Sequence, residues 1–156
     1  MHSGTTMEKG GFSLLELVLV SAIIMIFAAL AAPRYGRAAA RYQLDLAARR
    51  VASDLRLAQS YAKTTSSSRT VCFYPATERY QLQNVPAPDG AAGDYVVVLS
   101  AEPYRVDLVS AGFSESSLIT FNGWGLPLAG GTVILSANAQ QKTIAVDGVT
   151  GQVSIP

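Results

Sequence analysis

A long apolar run near the N-terminus limits this chain more than any other feature. Residues 12–32 carry one charge, Glu16. As a helix with a rise of about 1.5 Å per residue, the run would measure roughly 30 Å, the thickness of a bilayer core, so we predict a transmembrane helix over residues 12–33. Glu16 is the exception, because an ionised carboxylate in hydrocarbon costs about 3 kcal/mol or more and requires a partner.

The residues around Glu16 form a motif of a known type. The segment Gly10-Gly11-Phe12-Ser13-Leu14-Leu15-Glu16 resembles the class III signal of type IV pilins and type II secretion pseudopilins. The resemblance implies that prepilin peptidase removes a leader, residues 1–11, and methylates the new N-terminal Phe12. It also implies that Glu16 meets the N-terminal amine of a neighbouring subunit in a filament. Such pairing is physically reasonable, because a buried charge is tolerated beside an opposite one.

Other interpretations of the N-terminus remain open. Ala29-Leu30-Ala31 would fit the cleavage site of an ordinary secretory signal peptide, although Glu16 would interrupt its apolar region. A plain single-span anchor would leave both Glu16 and the Gly11–Phe12 junction unexplained. The leader begins at Met1 or at Met7.

After the apolar run we expect a kink or local break at Pro33, which cannot donate a hydrogen bond to the carbonyl of Ala29. An amphipathic helical stem over residues 34–65 follows. Its apolar residues recur every three or four positions, which predicts one buried stripe made of Leu44, Ala48, Val51, Leu55, Ala58 and Ala62. Two oppositely charged pairs lie four residues apart on the expected exposed face: Asp45 with Arg49, and Arg50 with Asp54.

The charge distribution conflicts with the resemblance on one point. Residues 34–63 contain seven basic and two acidic side chains, and residues 64–156 contain four basic and seven acidic ones. Basic residues directly after a span favour a cytoplasmic location for that side. The resemblance implies the opposite: an inner-membrane, single-pass protein with its head in the periplasm, which later enters a pilus or pseudopilus. We follow the resemblance, because the processing motif is more specific than a charge count.

Residues 66–156 predict a small antiparallel β head. Short β-prone runs alternate with turn signals every 8–12 residues. The expected strands are residues 69–74, 79–83, 95–99 (fully buried), 104–109, 118–121, 132–135, 143–146 and 152–155, with a loop over residues 84–93. The predicted fold class is therefore α+β, with a long N-terminal helix packed on this head.

Residues 119–156 carry a second resemblance, to the GspH/FimT-like group of minor pilins and pseudopilins. Some members of that group bind DNA through a C-terminal Gly-Arg-x-Arg pattern. The matching positions here are Gly151, Gln152, Val153 and Ser154, so both arginines are absent. Because phosphate binding depends on cationic side chains, the missing arginines argue against nucleic acid as a partner.

The sequence contains few residues that could support catalysis. The single histidine, His2, lies in the expected leader, and the single cysteine, Cys72, is flanked by Val71 and Phe73 as a small buried residue would be. Without a histidine, the serines at 114, 116 and 117 lack an activating base. Asp89 and Asp94 are too few for a calcium site. We therefore predict no catalytic, cofactor or metal residues, and Trp124 is either a contact residue or part of the core.

The sequence thus indicates a structural subunit. We expect a minor pilin or pseudopilin near the filament tip or in initiation, with other pilin subunits, prepilin peptidase and the inner membrane as partners. The alternative is a DNA-binding or adhesive minor pilin.

Overall fold

A computed structural model describes residues 13–87, 90, 94–114 and 116–156, although it does not describe the side chains of residues 30–34. The chain divides into two units, Met1–Gly36 and Arg37–Pro156. One helix, α1 (Leu14–Thr65), contributes residues to both. The helix continues through Pro33, so the expected local break is not observed. A kink at Pro33 stays a prediction.

The second unit contains the β head. Its described residues form eight strands: β1 Arg69–Tyr74, β2 Arg79–Gln83, β3 Tyr95–Val98, β4 Asp107–Phe113, β5 Leu118–Phe121, β6 Gly131–Ala137, β7 Gln140–Val146 and β8 Val153–Ser154. They make two four-stranded sheets with the orders β3-β2-β1-β5 and β4-β6-β7-β8. Every pairing is antiparallel. The α+β class predicted from the sequence is confirmed.

The apolar stripe of α1 packs into the core of the head. All six residues of the predicted stripe are buried, and Ala47, Ala52 and Ala40 widen the buried face. Alanine fills many of these positions, and its small side chain lets the helix backbone approach the sheets closely. The core includes residues from both sheets and lies wholly between Ala40 and Val153. The second unit therefore carries a complete core of its own.

β1 and β2 match their sequence predictions in bounds and form a hairpin in which Phe73 lies opposite Tyr80. Its connection is a short 3₁₀ turn, Pro75–Thr77, closed by Glu78 in the left-handed region at φ 50°. The Glu78 carboxylate also accepts a hydrogen bond from the backbone N–H of Leu108 on β4. The hairpin turn thus ties the two sheets together.

Three expectations for the head were wrong. β3 is an edge strand rather than a fully buried one, because Val96 and Val98 are exposed while Tyr95 and Val97 are buried. The next strand begins at Asp107 rather than at residue 104. Finally, the charged pairs of α1 do not both lie on an exposed face: Asp54 is buried, and Asp45 pairs with Lys142 of β7.

Gly131 of β6 lies tightly against β4, whereas Gly112 of β4 has open space beside it. A side-chain carbon added to Gly131 would overlap the backbone carbonyl of Gly112 and touch the ring of Phe113. The same addition at Gly112 would meet no atom within 4 Å. Only one of the two glycines is therefore required by packing.

Candidate functional site: an exposed apolar helix with a lone acid

The first unit exposes an apolar helical segment. Large side chains from Leu14 to Phe27 are mostly open to solvent, with Leu14 at 82% and Phe27 at 68% of full exposure. The exposed residues lie all around the helix rather than on one face. Isolated apolar residues on a surface are ordinary, but a contiguous set of this length marks an interaction surface.

Glu16 lies exposed in the first turn of this segment. Ser13 precedes the helix, and its hydroxyl oxygen accepts a hydrogen bond from the N–H of Leu15 at 3.3 Å. A serine at the N-cap with a glutamate three residues later is the pattern of a capping box, and an acid is favourable at a helix N-terminus. Glu16 could thus stabilise the start of its own helix. Any test of a role in assembly has to distinguish that role from helix capping.

The other predicted N-terminal sites are not tested. Gly11 and Phe12 lie outside the described residues. Among the described residues, no helix has the length and hydropathy that a membrane crossing needs.

A buried carboxylate joins the stem of α1 to the first sheet. Asp54 Oδ2 accepts hydrogen bonds from Tyr80 Oη at 2.6 Å, Tyr95 Oη at 2.9 Å and Arg50 Nε at 3.1 Å. A guanidinium N–H of Arg50 also donates to the hydroxyl of Tyr95. We call these four residues the Asp54 cluster. Each member of the cluster forms a hydrogen bond with another member, so the buried charge of Asp54 is tolerated.

The cluster alters the acidity of its members. Burial and the neighbouring Asp54 carboxylate raise the pKa of Tyr80 well above its ordinary value. The same causes raise the pKa of Tyr95 to about 12. For Arg50, burial lowers the pKa, but the Asp54 charge and the hydroxyl of Tyr95 outweigh it and the pKa rises. All three side chains therefore keep their protons throughout the physiological range.

Sequence patterns revealed only part of the Asp54 cluster. The i,i+4 spacing of Arg50 and Asp54 was visible, and the pair does form. Tyr80 and Tyr95 lie 26 and 41 residues from Asp54 along the chain, so no local pattern joined them to it. The one sequence feature that could have indicated a buried Asp54 was its position beside an otherwise apolar helix face.

Trp124 is displayed on a tightly built turn. Its side chain is 83% exposed, which excludes the core alternative for this residue. The Asn122 carboxamide oxygen accepts hydrogen bonds from the N–H groups of Trp124 and Leu126, both at 3.0 Å. Gln59 of α1 donates to the Gly125 carbonyl at 2.8 Å and to the Gly151 carbonyl at 3.4 Å, so it joins this turn to the one before β8.

The weaker candidates gain no support. Asp94 accepts a hydrogen bond from Gln81 at 2.6 Å, while Asp89 lies outside the described residues. No group of metal-ligating side chains occurs within the described part of the chain. Cys72 is a free, buried cysteine as expected, and burial raises the pKa of its thiol.

The four positions that match the DNA-binding pattern lie around β8. Gly151 is buried at φ 71°, Val153 is buried, and Gln152 and Ser154 point to solvent. The two side chains that face outward are thus uncharged.

A long helix whose C-terminal part packs on a small antiparallel head, and whose N-terminal part exposes apolar side chains, is the architecture of pilin-like subunits. A family model described as "Type II transport protein GspH" matches residues 47–151, about two thirds of the chain, and the chain therefore belongs to this family. The resemblance inferred from the sequence is confirmed.

A solved structure supports the fold. The type IV minor pilin FimU of Pseudomonas aeruginosa (strain PAO1) is similar with a TM-score of 0.54 and 14% sequence identity. The match covers 74% of this chain and 90% of FimU. At this identity the similarity establishes the fold alone. No curated protein matches the sequence.

Family membership decides two further points. Members are structural subunits of pili or pseudopili rather than enzymes, which confirms the non-enzymatic interpretation. They assemble with other pilin or pseudopilin subunits.

Proposed function

We propose that this chain is a minor pilin or pseudopilin that acts near the tip or in the initiation of its filament. Prepilin peptidase cleaves after Gly11 and methylates Phe12. The helix then holds the subunit in the inner membrane, with the head in the periplasm, until assembly. In the filament, Glu16 pairs with the N-terminal amine of a neighbouring subunit.

The observation that carries this proposal is the exposed apolar segment of the first unit with its single acid. The exposed side chains from Leu14 to Phe27 are mostly apolar. Burying their surface against lipid or neighbouring helices would therefore be favourable by roughly 25 cal/mol per Å². Once they are buried, Glu16 needs a partner of opposite charge. The amine of a processed neighbour has that charge.

The test compares Glu16→Gln with Glu16→Ala in cells that assemble the filament. Glutamine retains the capping option at this helix position but loses the charge, whereas alanine loses both. Breaking a buried ion pair costs about 3–5 kcal/mol, so both variants should enter sheared filaments at least roughly a hundredfold less than the parent chain. Cleavage and membrane fractionation should be unchanged.

Glu102→Gln is the matched control. Glu102 is an exposed acid of the head whose one ion pair within the described part of the chain is with nearby Arg105, so its loss should leave incorporation intact. If Glu16→Gln incorporates like the parent and only Glu16→Ala fails, the residue acts as a helix cap and the ion-pair mechanism is wrong. Intact mass with and without the peptidase tests processing separately. A mature chain that does not begin at methylated Phe12 would contradict that step.

A further inference from the structure

An apolar strip runs along one edge of the first sheet. Trp124 stands in the turn that follows β5, and Leu126 and Leu128 come directly after this turn. All three side chains are exposed, whereas Gly125 and Pro127 between them are buried. Large apolar side chains that are exposed together, rather than singly, mark a surface for interaction.

The strip continues onto the sheet through β5. The N–H of Leu128 donates to the carbonyl of Thr120 at 2.9 Å, and Pro127 forms an antiparallel bridge with Phe121. Leu118 lies two residues before Thr120, so its half-exposed side chain is on the same face of the sheet. We call the four apolar residues Leu118, Trp124, Leu126 and Leu128 the Trp124 strip.

The turn that carries Trp124 is fixed against the C-terminal end of α1. A side-chain carbon added to Gly123 would lie only 2.8 Å from the backbone carbonyl of Ser66, and one added to Gly125 would overlap the side chain of Lys63. A rigid, exposed aromatic side chain loses little conformational entropy on binding. Tryptophan is also among the residues that contribute most to protein interfaces.

The surroundings of the strip are basic. Lys63 crosses Gly125 beside Trp124, and its ammonium group forms no ion pair within the part of the chain that the structure describes. Residues 55–77 and 116–146, which include the strip and the end of α1, contain four basic side chains and no acid. A partner that covers the strip would therefore complement it by placing a carboxylate beside Lys63.

The shape of the strip suits a protein partner better than a bilayer. A cleft of about 170 Å³ is lined by Ser66, Gly123 and Trp124, which gives a partner's side chain a place to enter. Leu118 and Leu126 are half-buried, so this part of the strip lies flush with the sheet. An apolar surface that enters a bilayer has to sink about 5–10 Å into it.

Two observations narrow the partner further. Members of this family assemble with other pilin or pseudopilin subunits. A two-fold contact of the strip with the same strip on a second copy would bring the two Lys63 side chains and their basic surroundings together, which is unfavourable. The partner is therefore a different subunit.

We propose that the Trp124 strip binds an apolar and acidic surface on a different pilin or pseudopilin subunit. The indole of Trp124 fills an apolar recess of that subunit, and a carboxylate beside the recess pairs with Lys63. This contact rests on family membership and does not depend on whether Glu16 pairs with an amine.

The test is photo-cross-linking of the full-length chain in cells that assemble the filament. Trp124→p-benzoylphenylalanine keeps an aromatic side chain in the turn and makes it photoreactive. After irradiation, mass spectrometry should identify an adduct with a different pilin or pseudopilin subunit, at an apolar site beside an acid. Val109→p-benzoylphenylalanine is the matched control, because Val109 is an exposed apolar residue of β4 outside the strip, and it should not give this adduct.

Charge variants in the photoreactive chain test the role of Lys63. Lys63→Glu should lower the yield of the adduct about fivefold or more, because an exposed ion pair contributes up to about fivefold and the reversed charge also repels the carboxylate. Lys63→Arg keeps the charge and should change the yield less than about twofold.

Binding of the purified subunit identified in this way measures the contribution of the indole. Trp124→Ala in residues 37–156, which contain the whole core, should weaken binding about thirtyfold or more, as expected for an interface hot spot. Val109→Ala should leave binding within about twofold of the parent. Both variants should melt like the parent, because both side chains are exposed.

Any of four results would overturn the proposal. One is an adduct with lipid or with a protein outside the pilin class, and another is an adduct that joins two copies of this chain. The third is equal cross-linking from Trp124 and Val109, or none from Trp124. The fourth is a yield that Lys63→Glu leaves unchanged.

Discussion

Removing the carboxylate of the buried Asp54 should destabilise the head far more than removing the partly exposed acid Asp45 on the same helix. In Asp54→Ala the hydroxyl of Tyr80, a fully buried residue, loses its partner at a cost of about 1–3 kcal/mol. Tyr95 still accepts a hydrogen bond from Arg50, but its O–H loses its acceptor, at a cost of about 0.5–1.5 kcal/mol. The Arg50 side chain is 38% exposed, so water replaces its ion pair at a cost below about 1 kcal/mol.

The free energy of unfolding should therefore fall by about 2–5 kcal/mol in total. Urea denaturation of residues 37–156, followed by circular dichroism at neutral pH, measures this change. Asp45→Ala is the matched control, because its ion pair with Lys142 is partly exposed to solvent and contributes at most about 1 kcal/mol.

A double-mutant cycle sharpens the prediction. Tyr80→Phe keeps the ring, which packs 5.6 Å from Phe73, but removes the hydroxyl that Asp54→Ala leaves without a partner. The double variant should be more stable than Asp54→Ala alone by about 1–3 kcal/mol. The reasoning fails if the double variant is less stable than Asp54→Ala, or if Asp54→Ala and Asp45→Ala cost the same.

Two further predictions concern the same domain. The pKa of Tyr95 is raised from 10.0 to about 12 in the folded protein, so the unfolded chain loses this proton first as pH rises. The contribution of this residue to stability should therefore be constant below about pH 10. Above about pH 10 the free energy of unfolding should fall by up to about 1.4 kcal/mol per pH unit for each such tyrosine. Tyr95→Phe should make that fall shallower in denaturation curves collected from pH 8 to 12, and an unchanged slope would contradict the assignment. Gly131→Ala should cost about 1–3 kcal/mol through overlap with the backbone of Gly112, whereas Gly112→Ala should be neutral or stabilising by up to about 1 kcal/mol. Equal effects of the two alanines in urea denaturation would show that β4 and β6 separate easily.

Sequence reasoning succeeded where the physical cause is local. The buried stripe of α1 follows from helical periodicity, and the bounds of β1, β2 and β5 follow from short β-prone runs between turn residues. Each of these patterns lies within about a dozen neighbouring residues.

It failed where the cause lies in distant pairings. The run at residues 95–99 looked fully buried, but β3 is at a sheet edge and leaves Val96 and Val98 exposed. Asp54 looked like a surface charge because its tyrosine partners come from β2 and β3. Asp45 was assigned to Arg49, whereas tertiary packing brings Lys142 to it from a position 97 residues away. The candidate site at Glu16 came from a motif, and the capping position that it occupies three residues after Ser13 became apparent only with the helix start.

The confinement of the core to residues 40–153 has a consequence for variation in this chain. No side chain from Leu14 to Phe27 belongs to that core, so substitutions there leave the folding free energy of the head unchanged. Their effects will be invisible to melting curves and to proteolysis of the head, and will appear in membrane anchoring or when subunits meet. Genetic screens that select for a well-folded, abundant protein would pass over this segment, and screens that select for filaments would find it first.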